Sequence, residues 1–497
     1  MFRSVSRRVF LGFLASSAAT TALAAPPAAS LRPVARAVGH SKKAVAGPEA
    51  IISAAKLDGQ VSFAVADART GARLEVGNAK TGTPPASVAK AVTALYALNV
   101  LGPAHRFSTQ IVATGSVSGG VVSGDLILVG GGDPTLDTNG LAALVSALKD
   151  KGIREVRGAF KVAEGALPYV KTIDSEQPDH VGYSPAVSGV SLNYNRVHFE
   201  WKRSGGAYGV TMDARSDRFR PAVYVTKMQI VDRRVPVYTY KDGGSSDNWT
   251  VAKAALGNGG ARWLPVRKPA LYAGDVFQTL ARSQGIVLKN PKVVKKAPRG
   301  TVLASRQSDD LRKILKDMLR YSTNITAEMV GMSATVKRTG RVPNNLKASA
   351  AEMNRWANST LGTSAMKLVD HSGLGGKSKM TADDMVQALV KAHSSAVLRP
   401  ILKPIPMRDN KRRVLKNHPI TVDAKTGTLN YVSGLAGYMT ARDGRVMAFA
   451  IFAADEATRS RISKANRESP QGARSWNGRA KVMQQKLIDR WGLLYGT

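Results

Sequence analysis

Pro84-Pro85-Ala86-Ser87-Val88-Ala89-Lys90-Ala91-Val92-Thr93-Ala94-Leu95-Tyr96 is the stretch from which the rest of the chain can be read. From Ala86 to Leu101 the residues are apolar on almost every side, which predicts a helix buried in a domain core. The two prolines suit a helix start and place Ser87 at its positive end. Ser87 and Lys90, three positions apart, lie on one face a turn apart. Burial lowers an amine's pKa toward that of a usable base, so Lys90 can take the Ser87 hydroxyl proton with no histidine needed.

A serine and a lysine at this spacing prove little alone. The same pattern occurs at Ser53 and Lys56, Ser146 and Lys149, and Ser364 and Lys367, all in ordinary amphipathic stretches. Two further motifs give Ser87 its context. Ser322-Thr323-Asn324 falls between a helix expected to open at Ser308-Asp309-Asp310 and run to about Arg320, and another from Ile325 to about Val336. That position, a tight interhelical loop, can aim side chains into a cleft. Its rival Ser246-Asp247-Asn248 follows Gly243-Gly244 in a polar stretch and reads as a surface loop.

Lys425-Thr426-Gly427-Thr428 precedes Gly434–Thr440, a turn at Arg442-Asp443-Gly444, and Val446–Ala453. Alternation and β-branched or aromatic content predict two antiparallel strands there. Lys425 then falls on a neighbouring strand, with Gly427 allowing close approach of a ligand backbone. The second Lys-Thr-Gly, at Lys80, lies in a loop before the prolines and forms no such edge.

In this order, the three motifs resemble the S-x-x-K, S-x-N, K-T-G set of penicillin-binding proteins and serine β-lactamases. Further segments sharpen the likeness: Gly124-Asp125-Leu126 through Gly130-Gly131-Gly132-Asp133-Pro134-Thr135-Leu136, Tyr183-Ser184-Pro185, Ser191-Leu192-Asn193-Tyr194-Asn195 and Asp370-His371-Ser372-Gly373-Leu374. From about Ile51 to the C-terminus the chain resembles the class C low-molecular-mass penicillin-binding proteins, the D-alanyl-D-alanine carboxypeptidase/endopeptidase family. That family's mark is a long insertion between its first two motifs. The glycines at 130–132 are not followed by G-K-[ST], so they read as a turn and not a phosphate loop.

The resemblance implies an α+β fold, an antiparallel sheet flanked by helices, with the Ser87 cleft between the sheet and a helical lobe. It implies a catalytic domain over 48–105 and 268–497, and a mainly β inserted region over 106–267, in two subdomains. The implied reaction is acyl transfer with no cofactor. Ser87 is the nucleophile and Lys90 its base; Ser322 and Lys425 return a proton to the leaving amine. Asn324 holds Lys90 and the substrate amide. Thr426, Gly427 and Thr428 line the carboxylate-binding strand, and the backbone N–H groups of Ser87 and Thr428 form the oxyanion hole. The implied partners are peptidoglycan stem peptides, with β-lactams as covalent inhibitors.

Family members that cleave wall cross-links use an acid in the insertion, shortly before the segment matching Tyr183-Ser184-Pro185, to read the diaminopimelate side chain. Here that region is Asp174-Ser175-Glu176-Gln177-Pro178-Asp179-His180, without the usual aromatic residues, and Asp179 is the nearest acid. His371 reads as a loop residue. A β-lactamase-like hydrolase, or a non-catalytic basic peptidoglycan-binding protein, remains as an alternative.

Composition agrees with an exported wall enzyme. Ser6-Arg7-Arg8-Val9-Phe10-Leu11, a short apolar run and Ala22-Leu23-Ala24 read as a twin-arginine export signal over 1–24. Residues 25–47, rich in Ala, Pro and Lys, read as a flexible linker. A periplasmic location without a transmembrane anchor follows as the expectation. The chain has no cysteine, which excludes thiol chemistry, and its seven histidines form no H-E-x-x-H pair, which disfavours a zinc hydrolase. A formal charge of +37 would attract polyanions, and the export signal points to wall carboxylates and anionic lipid head groups over nucleic acid.

Overall fold

The computed structural model describes residues 45–409 and 413–496. The expected export signal, and all but the end of the expected linker, lie outside the described residues.

A six-stranded antiparallel sheet organises the catalytic part. Its order is 403–404, 421–429, 432–440, 446–454, 60–67 and 73–77. Successive side chains of a strand point to opposite faces, and here the faces differ in size. Ala64, Ala66, Ala436, Ala448 and Ala450 face one core. Phe63, Val65, Met447, Phe449 and Ile451 face another. The alanine face lets helix Ala382–His393 lie close on the sheet, with helices Ala89–Leu101, Leu311–Tyr321, Asn324–Thr339 and Leu346–Leu361 completing that core. The large-residue face is covered by helices Pro48–Ala54 and Ala473–Tyr495.

The expected buried helix is present, opened by a short 3-10 turn over Ala86–Val88. Ala89 to Leu98 are all buried, so the absence of a polar face in the sequence has its physical reason: protein surrounds this helix.

The inserted region is built on a five-stranded sheet ordered 292–294, 160–163, 126–130, 108–113 and 301–307. Helices Thr138–Asp150 and Pro269–Ser283 pack into its core. Two three-stranded sheets, 207–213/196–204/259–265 and 226–231/247–252/238–242, extend it. The boundary therefore differs from the expected residue 267. Strand 301–307 returns to pair with 108–113, which carries the region on to Gln307. The three sheets also share one apolar core from Ile111 to Ala304, so the core draws no line between two subdomains.

Trp491 pins the C-terminal helix to the sheet. It is fully buried, its ring lies 6.1 Å from Phe63 and 6.0 Å from Phe449, and its Nε1 donates to Glu75 at 2.7 Å. Trp491→Ala removes that packing and leaves the Glu75 acceptor short of a donor. A loss of about 3–5 kcal/mol is expected, measurable as a lower denaturant midpoint at unchanged slope; a loss below about 1 kcal/mol would contradict this role for Trp491.

Candidate active site

Three elements meet at one amine. Lys90, one turn into the buried helix, is 0% exposed. Its Nζ lies 2.9 Å from Ser87 Oγ, 2.7 Å from Asn324 Oδ1 and 2.8 Å from the Ser372 carbonyl. The i,i+3 spacing puts Ser87 over Lys90. Asn324 comes from the first turn of the next helical segment, and its Nδ2 donates to the Tyr183 carbonyl at 2.9 Å, joining the inserted region to the site. Burial pulls Lys90 down to about 8, against the opposing fields of the Glu328 and Asp370 carboxylates.

The second lysine is held similarly. Lys425 Nζ donates to Ser322 Oγ at 3.0 Å and to the Thr426 carbonyl at 2.7 Å. Burial, and then the charges of Lys90 and Lys403, hold it well below the usual lysine range. Ser322 ends helix 311–321 in the left-handed region, φ 60°, so the chain turns sharply before Asn324. That turn brings Ser322 toward Lys425 while Asn324 faces Lys90.

Gly427 has a different use from the one expected. A Cβ there would stand 2.6 Å from the Pro85 carbonyl and 3.1 Å from Ser87 N. The close approach seen is to the turn that carries Ser87. Thr426 and Thr428 are exposed on the opposite face of the strand, and Thr428 lines the cleft. Strand 403–404 covers only Ala424 and Asp423.

The cleft holds about 370 Å³ and is lined by Ser87, Ser322, Asn324, Thr428, Tyr183 and Arg459, among others. The family pattern of D-Ala-D-Ala carboxypeptidase 3 (S13) matches residues 48–470. The chain belongs to the D-Ala-D-Ala carboxypeptidase 3 (S13) family. It is thus a serine-type carboxypeptidase, a hydrolase. It is similar to a D-alanyl-D-alanine carboxypeptidase of Actinomadura sp. (strain R39), with 28% identity over 86% of each chain. It is also similar to carboxypeptidase DacB of Mycolicibacterium smegmatis, with 28% identity over 79% of this chain and 76% of that one. The fold matches penicillin binding protein 4 (dacB) of Haemophilus influenzae at a TM-score of 0.72 and 20% identity, covering 88% of this chain and 99% of that chain.

Residues 455–472 follow the last sheet strand and are tied to the inserted region by charge. Lys464 meets Asp179 at 3.0 Å, Arg467 meets Glu176 at 3.2 Å, and Glu468 meets His180 at 2.7 Å and Arg262 at 2.5 Å. Asp179 is therefore not brought to the nucleophile: its carboxylate is largely exposed and serves this tie. Among the acids near the cleft, Glu468 lines it directly and Asp174 stands beside it. Asp174 lines an adjoining cavity of about 460 Å³ with Glu176, Lys377, Arg459 and Arg467, and the two arginines border both spaces. Composition gave no means of ranking Asp174 over Asp179; the turn at 174–177, where Asp174 accepts from Glu176 N and Gln177 Nε2, gives the two acids different neighbours. His371 is buried, bonded to Ser349 and pulled down to about 3 by burial, hence a neutral core residue.

Lys90 acts as a base only as the free amine. With a site pKa of about 8, acylation by a β-lactam should accelerate as pH rises and reach its half-maximum near pH 8. A stopped-flow profile from pH 6 to 10 checks this, and a rate that falls over that range would exclude Lys90 as the base.

Proposed function

We propose that this protein removes the terminal D-alanine of peptidoglycan stem peptides through an acyl-enzyme on Ser87. The observation that carries the proposal is the buried Lys90 amine 2.9 Å from Ser87 Oγ, in a chain of the S13 family. Lys90 takes the hydroxyl proton as Oγ attacks the carbonyl of the penultimate D-Ala. The N–H groups of Ser87 and Thr428 receive the developing oxyanion. Ser322, bonded to Lys425, relays to the departing amine of the terminal D-Ala the proton that Lys90 took from Ser87, which leaves Lys90 a free amine again; the D-Ala carboxylate sits against Thr426, Thr428 and Lys425. Water then attacks the acyl carbonyl, a proton passing to the Ser87 oxygen as the acyl bond breaks, and Ser87 is a hydroxyl again.

A penicillin presents the same amide and carboxylate, and a solved relative of this fold is a complex of Haemophilus influenzae penicillin binding protein 4 with a β-lactam. The two buried acids near Lys90 have their oxygens committed to backbone N–H groups. Neither is free to activate a deacylating water, so the penicillin adduct should be long-lived and β-lactamase turnover slow. Intact-mass analysis after benzylpenicillin treatment should find one adduct mapping to the Ser87 peptide. Ser87→Ala, still folded, should lose it and also lose D-Ala release from a pentapeptide. An adduct retained in the folded variant would overturn the assignment. No D-Ala release by the wild type would favour the non-catalytic wall-binding alternative, and rapid nitrocefin turnover would favour the β-lactamase one.

DD-endopeptidase action on cross-links is the second reading, favoured by the charged cavity that adjoins the cleft. Asp174 stands there opposite Arg459 and Lys377, a pairing of signs that fits a diaminopimelate side chain ending in an ammonium and a carboxylate. Asp174→Asn should raise KM for a diaminopimelate-containing peptide several-fold with little change in kcat, and leave KM unchanged for the peptide acetylated on that amine. Equal effects on both peptides would remove Asp174 from recognition. Export by the twin-arginine route to the periplasm is part of the same proposal, supported by Ser6-Arg7-Arg8 and Ala22-Leu23-Ala24. N-terminal sequencing of exported protein should begin near Ala25, and a retained Met1 would contradict it. Among the described residues no helix is long and apolar enough to cross a membrane.

A further inference from the structure

Glu328 is a fully buried acid that the reaction steps above do not use. It lies four positions after Asn324 on helix 324–339, so the two side chains share a face one turn apart. Asn324 reaches the Lys90 amine directly. Glu328 reaches it through the loop 370–375: one carboxylate oxygen accepts His371 N and the other accepts Ser372 N, both at 2.9 Å. The Ser372 carbonyl is one of the three acceptors of Lys90.

The loop has little room to settle elsewhere. Gly373 adopts φ +75°, and a Cβ there would stand 1.9 Å from the Ala86 carbonyl, on the turn that carries Ser87. One turn beyond Glu328, a Cβ on Gly331 would stand 2.2 Å from the His371 ring. The loop is thus a wedge between the nucleophile turn and the Asn324 helix. Asp370 secures its far end, accepting Gly373 N at 2.7 Å and Gly375 N at 2.6 Å.

We propose that Glu328 is a positioning residue for acylation, holding the Ser372 carbonyl on the Lys90 amine and placing a negative charge behind it. The proposal rests on Ser87 and Lys90 acting as nucleophile and base. An uncharged residue could brace the loop, but only an anion also acts on an amine through a dry interior, where fields are weakly screened. The charged or titratable groups around Lys90 are Glu328 from its helix, Asp370 and neutral His371 from the loop, Lys425 from the sheet strand, and Tyr96 on its own helix. Burial, and then the neighbouring Asp370 charge, raise Glu328, while the Ser372 and His371 donors and the Lys90 charge pull the other way. Both of its oxygens are already acceptors, and among the described residues no hydrogen bond takes a proton from either. Two N–H donors and a neighbouring ammonium favour its carboxylate form.

The sign follows. An anion near Lys90 favours its ammonium form, so removing the charge lowers the pH at which the free amine appears. Benzylpenicillin acylation of the full-length protein would be followed from pH 6 to 10 in the wild type, Glu328→Gln and Glu328→Asp, with thermal melts alongside. In Glu328→Gln the plateau rate should fall tenfold or more, and the midpoint should move half a pH unit or more downward. Glu328→Asp keeps the charge but not the reach, so its plateau should fall with the midpoint in place. A folded Glu328→Gln with the wild-type profile, or one that is slower with an unmoved midpoint, overturns the proposal. Should Glu328→Gln not fold, a wild-type plateau in Glu328→Asp overturns it and a lowered plateau at the wild-type midpoint supports it. A wild type that penicillin never acylates is a different result, against the Ser87 reading itself.

Discussion

One buried amine carries the constraint on which the catalytic part depends. A lysine taken out of water is costly unless every N–H finds an acceptor. Lys90 finds three: a side chain on the turn that opens its own helix, a side chain from helix 324–339, and the carbonyl of a loop beyond that helix. The elements that supply them are far apart in sequence, so satisfying the amine requires the tertiary fold. The same requirement explains the all-apolar helix, the left-handed Ser322 that separates two helices, and the tightly wedged loop at 370–375. Catalysis needs an amine that gives up its proton near neutral pH, and burial supplies that without a histidine.

The sheet serves this arrangement by being asymmetric. Alanines on one face allow helix 382–393 to lie close, and that fixes the depth of the helical lobe relative to strand 421–429. Large side chains on the other face carry apolar burial against the terminal helices, around Trp476, Leu487 and Trp491. Gly427 belongs to the same logic, since any side chain there would push the Ser87 turn away from the strand. Precision on one face and bulk on the other are divided between alternate residues of the same strands.

Much of this was legible because it is local. The spacing of Ser87 and Lys90, the caps around residues 308–325, and the alternation of the hairpin from 432 to 454 follow from short-range periodicity and turn chemistry. What could not be read depends on distant pairing. The return of strand 301–307 to 108–113 moves the edge of the inserted region well past residue 267, and no local signal marks it. Asp174 and Asp179 look equivalent in sequence, and only the turn between them gives them different neighbours. Glu328 did leave a trace: it is the one charged residue in the run Ile325 to Met332, one turn after Asn324. An unpaired charge at that spacing signals a buried partner, and the partner proves to be backbone.

The belt of ion pairs joining residues 464–468 to 176–180 and Arg262 sets the two halves of the site under different laws. The chemistry sits in a dry interior that counterions do not enter. The doorway stands in solvent and is held by charges partly open to it, whose attraction weakens within a Debye length as ions gather. Ionic strength would therefore act on the ties at the entrance more than on the buried acid–base groups. The surroundings govern admission, and the fold governs the reaction.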